Sequence, residues 1–282
     1  MRKWNLIVDV ALCHNCNNCA LAVRDEHVGN AFPGYSRPHG AQDEPVLKVR
    51  RQVRGSGHHV DIAYQPVMCN HCDDAPCIAA SGGAIRKRPD GIVLIDPDRA
   101  RGRRDLVASC PYGAIVWNEA EQVPQHWQFD AHLLDAGWQS PRCVDVCPTR
   151  AMEAVAIEDE EMRARAQRDS LQVRNPELGT KPRVYYRNLH RMNSLFIAGS
   201  VVAPGPRGQE CLAGATVRLD GLDSALSAVS DTFGDFKFDG VPQGSRALKL
   251  SVHKQGFQPW QSALTIADAA LVLEPIALIP AG

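Results

Sequence analysis

The chain has no long apolar run. Every hydrophobic stretch is broken within about ten residues by charge, proline or glycine, well short of the roughly 18 that a membrane-spanning helix needs. The sequence therefore predicts a soluble protein. Net charge is also missing: 31 lysines and arginines face 32 aspartates and glutamates, a formal balance of −1. With both signs interspersed, nothing calls for nucleic acid or an anionic membrane surface as partner. The opening MRKWNLIVDVALC offers no secretory leader, because its short apolar run leads straight into cysteine. No nucleophile–base pair, phosphate-cradling glycine loop or open metal site is spelled out, so no catalytic residue is expected. At 282 residues the chain is long enough for two or three domains.

What is present in quantity is cysteine, and it is placed unevenly. Nine of the ten cysteines fall between residues 13 and 147, and only Cys211 lies beyond. A disulfide framework suits short secreted domains, whereas repeated CxxC spacings in a long chain favour metal ligation. Zinc also takes CxxC pairs, but here the cysteines come in triplets. Cys13, Cys16 and Cys19 form a CxxCxxC run after the strand-like Leu6 to Val10, and Cys69, Cys72 and Cys77 form a second in CNHCDDAPC. Bacterial ferredoxins use CxxCxxCxxxCP, in which the fourth cysteine ligates the other cluster. The crossing positions here hold Val23 and Ser81 instead. Cys110 and Cys147 each precede proline, the context of a ferredoxin fourth ligand, where proline removes a competing N–H and fixes φ. Two triplets and two Cys-Pro sites make eight thiolates, enough for two [4Fe-4S] clusters. Spacing alone leaves open which Cys-Pro site joins which triplet.

The segments IVDVALCHNCNNCALAVRDEH, NHCDDAPC, GIVLIDPDRARGRRDLVASCPYGAIVWNE, AHLLDAGW and LGTKPRVYY carry a resemblance that covers nearly the whole chain. It resembles the iron–sulfur β subunits of the dimethyl sulfoxide reductase superfamily, in particular the small subunits of the pyrogallol-phloroglucinol transhydroxylase and anaerobic resorcinol hydroxylase type. The resemblance implies a nested ligand set: Cys13, Cys16, Cys19 and Cys147 for one cluster, Cys69, Cys72, Cys77 and Cys110 for the other. It implies a large molybdopterin-binding catalytic subunit as partner, a downstream electron acceptor, and substrate chemistry on polyhydroxylated aromatics carried out by that partner. Cytoplasm is the default location. Two other classes stay open: the β subunit of a respiratory reductase of the same superfamily acting on a sulfur, nitrogen or arsenic compound, and a free-standing ferredoxin or zinc scaffold. The family resembled also holds a third cluster, whose four ligand positions read Val23, Trp127, Asp130 and Cys143 here. Three of those four thiolates are gone together, so two clusters are expected, with Trp127 filling part of the vacated volume and Cys143 a buried free thiol.

The expected fold class is α+β. Residues 1–195 form a doubled bacterial-ferredoxin-like region of two intertwined modules, with a long excursion over 24–64 expected to dock on the partner. Glu158 to Arg168 reads as a solvated helix face, and Pro176 to Tyr186 as a linker. From 196 to 282 short alternating strands such as FIAGSVV, ATVRLDG, FKFDGV and ALKLSVH predict a small all-β sandwich, Ig-like in class. It resembles the carboxypeptidase-regulatory, transthyretin-like module through Gly199, Gly214-Ala215, the Asp231-Thr232-Phe233-Gly234 turn, Phe236 and Val241 to Gly244. His14 and His71 sit between cluster cysteines and read as hydrogen-bond donors beside sulfur rather than ligands. His58 and His59 read as an exposed loop. The basic patches Lys48, Arg50, Arg51, Arg54 and Arg99, Arg101, Arg103, Arg104 are either solvated faces or an offset to cluster charge.

Overall fold

A computed structural model describes residues 1–206 and 208–282. The chain divides into two compact units, Met1–Arg51 with Tyr64–Leu189, and Gln52–Ala63 with His190–Gly282. A single cut at residue 195 is therefore not how the chain divides, because the middle of the long excursion belongs to the second unit.

The first unit opens with β1 (Lys3–Asp9), whose Leu6, Ile7 and Val8 are buried on both faces. A continuous apolar run is what a doubly covered strand requires. After the first cysteine run, α1 (Asn18–His27) buries Cys19, Ala22, Val23 and His27. Strands β2 (Lys48–Ser56) and β3 (His59–Val67) pair as a hairpin whose tip lies in residues 52–63. The second cysteine run leads into α2 (Pro76–Ala80), started by a proline at its first position, where the missing N–H costs nothing. Two short hairpins follow, β4 (Ile85–Lys87) with β5 (Val93–Ile95) and β6 (Val116–Asn118) with β7 (Val123–Gln125). Helices α3 (Ala131–Asp135) and α4 (Arg142–Asp145) precede β8 (Met152–Ile157). Then α5 (Asp159–Arg168) places Asp159, Glu160 and Glu161 in its first turn and Arg165 and Arg168 in its last, as the helix dipole favours. The segment read as a linker ends in β9 (Val184–Arg187). It runs parallel to β1, so the sheet order is β8-β1-β9. Proline and glycine punctuate its start, but Val184 and Tyr186 are buried strand residues.

The second unit starts with α6 (His190–Asn193) and the long β10 (Leu195–Gly205), followed by β11 (Gly208–Cys211), β12 (Thr216–Asp220), β13 (Leu226–Val229), β14 (Asp235–Val241), β15 (Arg246–His253), β16 (Trp260–Ile266), β17 (Leu271–Val272) and β18 (Ile276–Ala277). One sheet runs β11-β10-β14, with β17 and β18 also pairing β10, and the other runs β13-β12-β15-β16. Ile197, Val201, Phe236 and Phe238 from the first and Val217, Leu219, Leu248 and Leu250 from the second share one core. On β12, β14 and β15 they alternate with more exposed neighbours, the period-two pattern of half-buried strands, whereas β10 is buried along nearly its whole length. The tight Asp231-to-Gly234 turn needs its glycine: φ is +78°, and a Cβ there would stand 2.3 Å from the Val201 carbonyl. Among the described residues no helix is long and apolar enough to cross a membrane.

Candidate metal centre

Cys13 and Cys16 lie on the turn between β1 and α1, and Cys19 stands in the first turn of α1. Asn15 and Asn17 both take left-handed backbone, φ 58° and 61°, a conformation that asparagine accepts at low cost. The Asn17 side-chain amide donates to the Asn15 carbonyl at 3.1 Å. Cys147, after α4, joins this group. Burial pushes the Cys13 thiol up, and the neighbouring sulfurs of Cys147 and Cys16 push it further. Burial takes Cys19 to about 11, with Cys13, Cys147 and Cys16 acting in the same direction. Cys147 Sγ also accepts the Ala151 backbone N–H at 3.3 Å.

The second triplet gathers Cys110 in the same way. Full burial holds the Cys69 thiol far above its ordinary value, and Cys110, Cys72 and Cys77 add to this. Burial takes Cys77 to about 11, followed by the effect of Cys110 and Cys72. An apolar cluster of Ala84, Ile85, Val93, Ile95, Ala100, Leu106 and Ile115 backs this site, with Cys77 and Cys110 packed against it. His71 takes the left-handed backbone, φ 45°, and its N–H points to Cys69 Sγ at 3.5 Å. Its Nδ1 accepts the Val93 N–H at 3.0 Å, so the ring proton sits on Nε2. Burial holds its pKa well below the usual histidine value. His14, by contrast, is exposed on its loop.

All ten cysteines are free thiols. Among the described residues no three Cys, His, Asp or Glu side chains converge closely enough for a single metal ion. A tetrahedral zinc would draw its sulfurs to about 3.8 Å from one another. Soft thiols in fours fit a multi-iron cluster. Burial keeps protons on the Cys13, Cys19, Cys69, Cys72 and Cys77 thiols until metal displaces them.

Val23, Trp127, Asp130 and Cys143 are all buried to within 2% exposure. Trp127 packs at a tilt of 31° against Phe129, 4.8 Å between ring centres, and both rings meet His71 edge-on. Burial pushes the Asp130 carboxyl up to about 6, and full burial, then the nearness of Asp130 and Cys19, raises the Cys143 thiol. Phe129 and Asp130 have φ of 61° and 49°. Asn15 stands two residues after Cys13 and His71 two after Cys69, both left-handed. Phe129 stands two after Trp127 and shares that conformation, but Asp130, at the place of Cys16 and Cys72, is left-handed as well, so residues 127–130 follow the turn of a CxxC loop only in part.

Lys87, Thr180 and Arg183 are the site residues that spacing did not single out. Lys87 Nζ donates to the carbonyls of His71 (2.9 Å) and Cys72 (2.8 Å), inside the second cysteine loop. The Thr180 hydroxyl bonds Cys72 and lowers its thiol against the larger upward effect of burial. It also meets the Tyr112 hydroxyl at 2.6 Å. The backbone N–H groups of Asp73 and Asp74 donate to the carbonyls of Lys181 and Thr180, and Arg183 grips the Asp73 carboxylate with two bonds of 2.7 Å. The supposed linker is thus laced to the second cysteine loop. Its one visible signal was a Thr-Lys-Pro-Arg string of polar groups in a stretch otherwise read as connecting chain.

A 4Fe-4S dicluster domain matches residues 60–157, which span the second triplet, both Cys-Pro sites and Cys143. The pyrogallol hydroxytransferase small subunit of Pelobacter acidigallici is 38% identical over 261 residues, covering 91% of this chain and 93% of that one. A tetrathionate reductase subunit of Salmonella typhimurium is 31% identical, covering 66% of this chain and 73% of its own. The arsenate respiratory reductase iron–sulfur subunit of a Shewanella species is 27% identical over 65% of this chain and 95% of its own. With a 4Fe-4S dicluster domain over its middle and a relative matched over nine tenths of both chains, the chain belongs to the family of iron–sulfur electron-transfer subunits of oxidoreductases that includes the pyrogallol hydroxytransferase small subunit.

Proposed function

We propose that this chain relays electrons through two [4Fe-4S] clusters for a large molybdopterin-binding subunit acting on polyhydroxylated aromatics. One cluster is held by Cys13, Cys16, Cys19 and Cys147, the other by Cys69, Cys72, Cys77 and Cys110. The observation that carries this reading is the 4Fe-4S dicluster match over residues 60–157, and the nearness of Cys147 to Cys13 and Cys19 and of Cys110 to Cys69 and Cys77 agrees with it. When bound, a cubane with all its iron sites ligated supplies one-electron transfer and no bond-making chemistry. The chain's own residues hold the sulfurs, exclude water from Cys19, Cys69 and Cys72, and donate N–H bonds to Cys69 and Cys147. Such bonds, with burial and local charge, set cluster potentials.

The count of two rests on the third position, where Trp127 and Val23 cannot ligate iron and Asp130 offers a hard carboxylate, with one oxygen on the Arg142 N–H, in place of a thiolate. The 38% identity over nearly the whole chain supports the aromatic branch over the sulfur and arsenic reductases, whose relatives match about two thirds of it. Hydroxylation must export an electron pair per turnover and so needs the relay, whereas transhydroxylation is redox-neutral overall, which favours the resorcinol hydroxylase type. The second unit, of the carboxypeptidase-regulatory, transthyretin-like type, serves docking or stabilisation, and residues 24–64 include the surface for the catalytic subunit. Iron analysis of the purified complex should give about eight irons per chain, two cubanes of four. About twelve would overturn the count. Oxidation of resorcinol or pyrogallol by the complex with an artificial acceptor tests the substrate class. Failure on both, with turnover of tetrathionate or arsenate, would place it in the other branch. A stable monomer active without any large subunit would make it a free-standing ferredoxin.

A further inference from the structure

The hairpin β4–β5 clamps the second cysteine loop from two points. Val93 on β5 donates its N–H to the His71 ring, and Lys87, its register partner on β4, sends its ammonium to the same loop. Lys87 Nζ lies 2.9 Å from the His71 carbonyl, 2.8 Å from that of Cys72, 3.1 Å from that of Gly91 and 2.8 Å from Asp73 Oδ1. All four are acceptors, so the nitrogen is used as a full ammonium with every proton directed at oxygen. Burial pulls its pKa down while the Asp73 carboxylate pulls it back up. The surrounding ion pairs do not cancel its charge. Asp73 is shared with Arg183, Arg183 with Asp159, and Asp159 with Lys3, giving three cations to two anions.

Among the described residues no lysine ammonium donates to the carbonyls of the first cysteine loop as Lys87 does to the second. Cys13 and Cys19 respond to burial, backbone N–H groups and fellow sulfurs, whereas Cys72 also feels Lys87. Reduction adds one negative charge to a cluster, and a fixed cation beside it favours the reduced form, the more so where water is excluded.

We propose that Lys87 is the residue that raises the potential of the second cluster and separates it from the first, with Asp73 as the opposing charge. The proposal rests on the reading of Cys69, Cys72, Cys77 and Cys110 as a cluster site. Lys87 acts through the loop and its charge, touching no substrate, and is a positioning residue.

The test is a redox titration of the intact complex followed by electron paramagnetic resonance, with iron content measured on the same samples. Lys87→Gln removes the charge while keeping an amide donor. It should leave iron content unchanged and lower one midpoint by the equivalent of roughly a tenfold shift in the reduction equilibrium, about 59 mV for one electron. The other midpoint should stay in place. Asp73→Asn should move that same midpoint in the opposite direction, and Lys87→Arg should hold it near the unsubstituted value. Opposite signs at one cluster are not what loosened packing produces. Unmoved midpoints with full iron content would overturn the proposal, as would shifts of the same sign in Lys87→Gln and Asp73→Asn. Loss of iron from Lys87→Gln together with an unmoved midpoint in Asp73→Asn would reduce Lys87 to a folding role. If the unsubstituted complex shows a single cluster signal, the ligand assignment fails and the proposal falls with it.

Discussion

Asp130 accepts the backbone N–H of Arg142 at 2.8 Å through one carboxylate oxygen, while its other buried oxygen finds no partner among the described residues. Burial raises this acid to about 6 from an ordinary 3.8. A raised carboxyl binds its proton more tightly in the fold than in the unfolded chain. Its contribution to stability is therefore whole below about pH 4 and is lost as pH rises through about 6, a cost of about 3 kcal/mol at neutrality. Asp130→Asn keeps an acceptor for Arg142, tolerates the left-handed backbone, and carries no charge. Denaturant unfolding should find it more stable than the natural chain at about pH 7.5, with the gain vanishing near about pH 4. An unchanged gap between the two pH values would show that the carboxyl does not titrate in this range.

Cys110 and Cys147 make separable predictions. Replacing Cys110 by alanine should take about four irons per chain and one paramagnetic signal. Replacing Cys147 should take a different signal. Cys143→Ala and Cys211→Ser should each leave iron content intact, since Cys143 is buried against Asp130 and Cys211 is exposed on β11. Loss of the same signal from the Cys110 and Cys147 variants would contradict the nested ligand sets.

The iron–sulfur character was legible because such ligation demands a residue type at a spacing, and both survive in a linear string. Lys87, Thr180 and Arg183 were not, because each is one of many similar residues until the chain folds. Lys87 is distinguished only by the register that sets it opposite Val93. Thr180 matters because its segment hydrogen-bonds across to Asp73 and Asp74, more than a hundred residues away in sequence. The Pro- and Gly-marked segment around it looked like connecting chain since the signal for β9 is four residues long, and its parallel pairing with β1 is non-local. Tip residues 52–63 read as part of a docking excursion, with Arg50, Arg51 and Arg54 taken together as one basic patch. Only Arg54 is buried, because Asp61 and Asp239 meet it.

That Arg54 cluster yields a contrast within the second unit. Its guanidinium, 2% exposed, bonds Asp239 at 2.8 Å and 3.2 Å and Asp61 at 2.5 Å. Asp239→Ala strips charged hydrogen bonds from a buried cation and should cost about 2 kcal/mol. Lys237→Ala breaks a pair to the same carboxylate from an exposed side chain, and should cost under about 1 kcal/mol. Thermal unfolding of the two variants side by side measures the difference. Equal losses would mean that burial of Arg54 does not govern the energetics of this cluster.

Trp127 is fully buried, and its ring is held between Phe129 at 4.8 Å and His71 at 5.5 Å. Removing such a ring leaves a cavity that the surrounding loop, already committed to left-handed backbone at Phe129 and Asp130, cannot readily close. Trp127→Ala should therefore cost about 3–5 kcal/mol. Trp127→Phe is a different case. It keeps an aromatic ring and removes an indole N–H that has no partner among the described residues, so relief of that unsatisfied donor offsets part of the lost volume. Its cost should stay below about 2 kcal/mol, with iron content unchanged. Chemical denaturation of both variants checks the pair. A loss under about 1 kcal/mol for Trp127→Ala would mean that the ring lies loosely over empty space, and the idea that tryptophan took over the volume of a vacated cluster position would have to be given up.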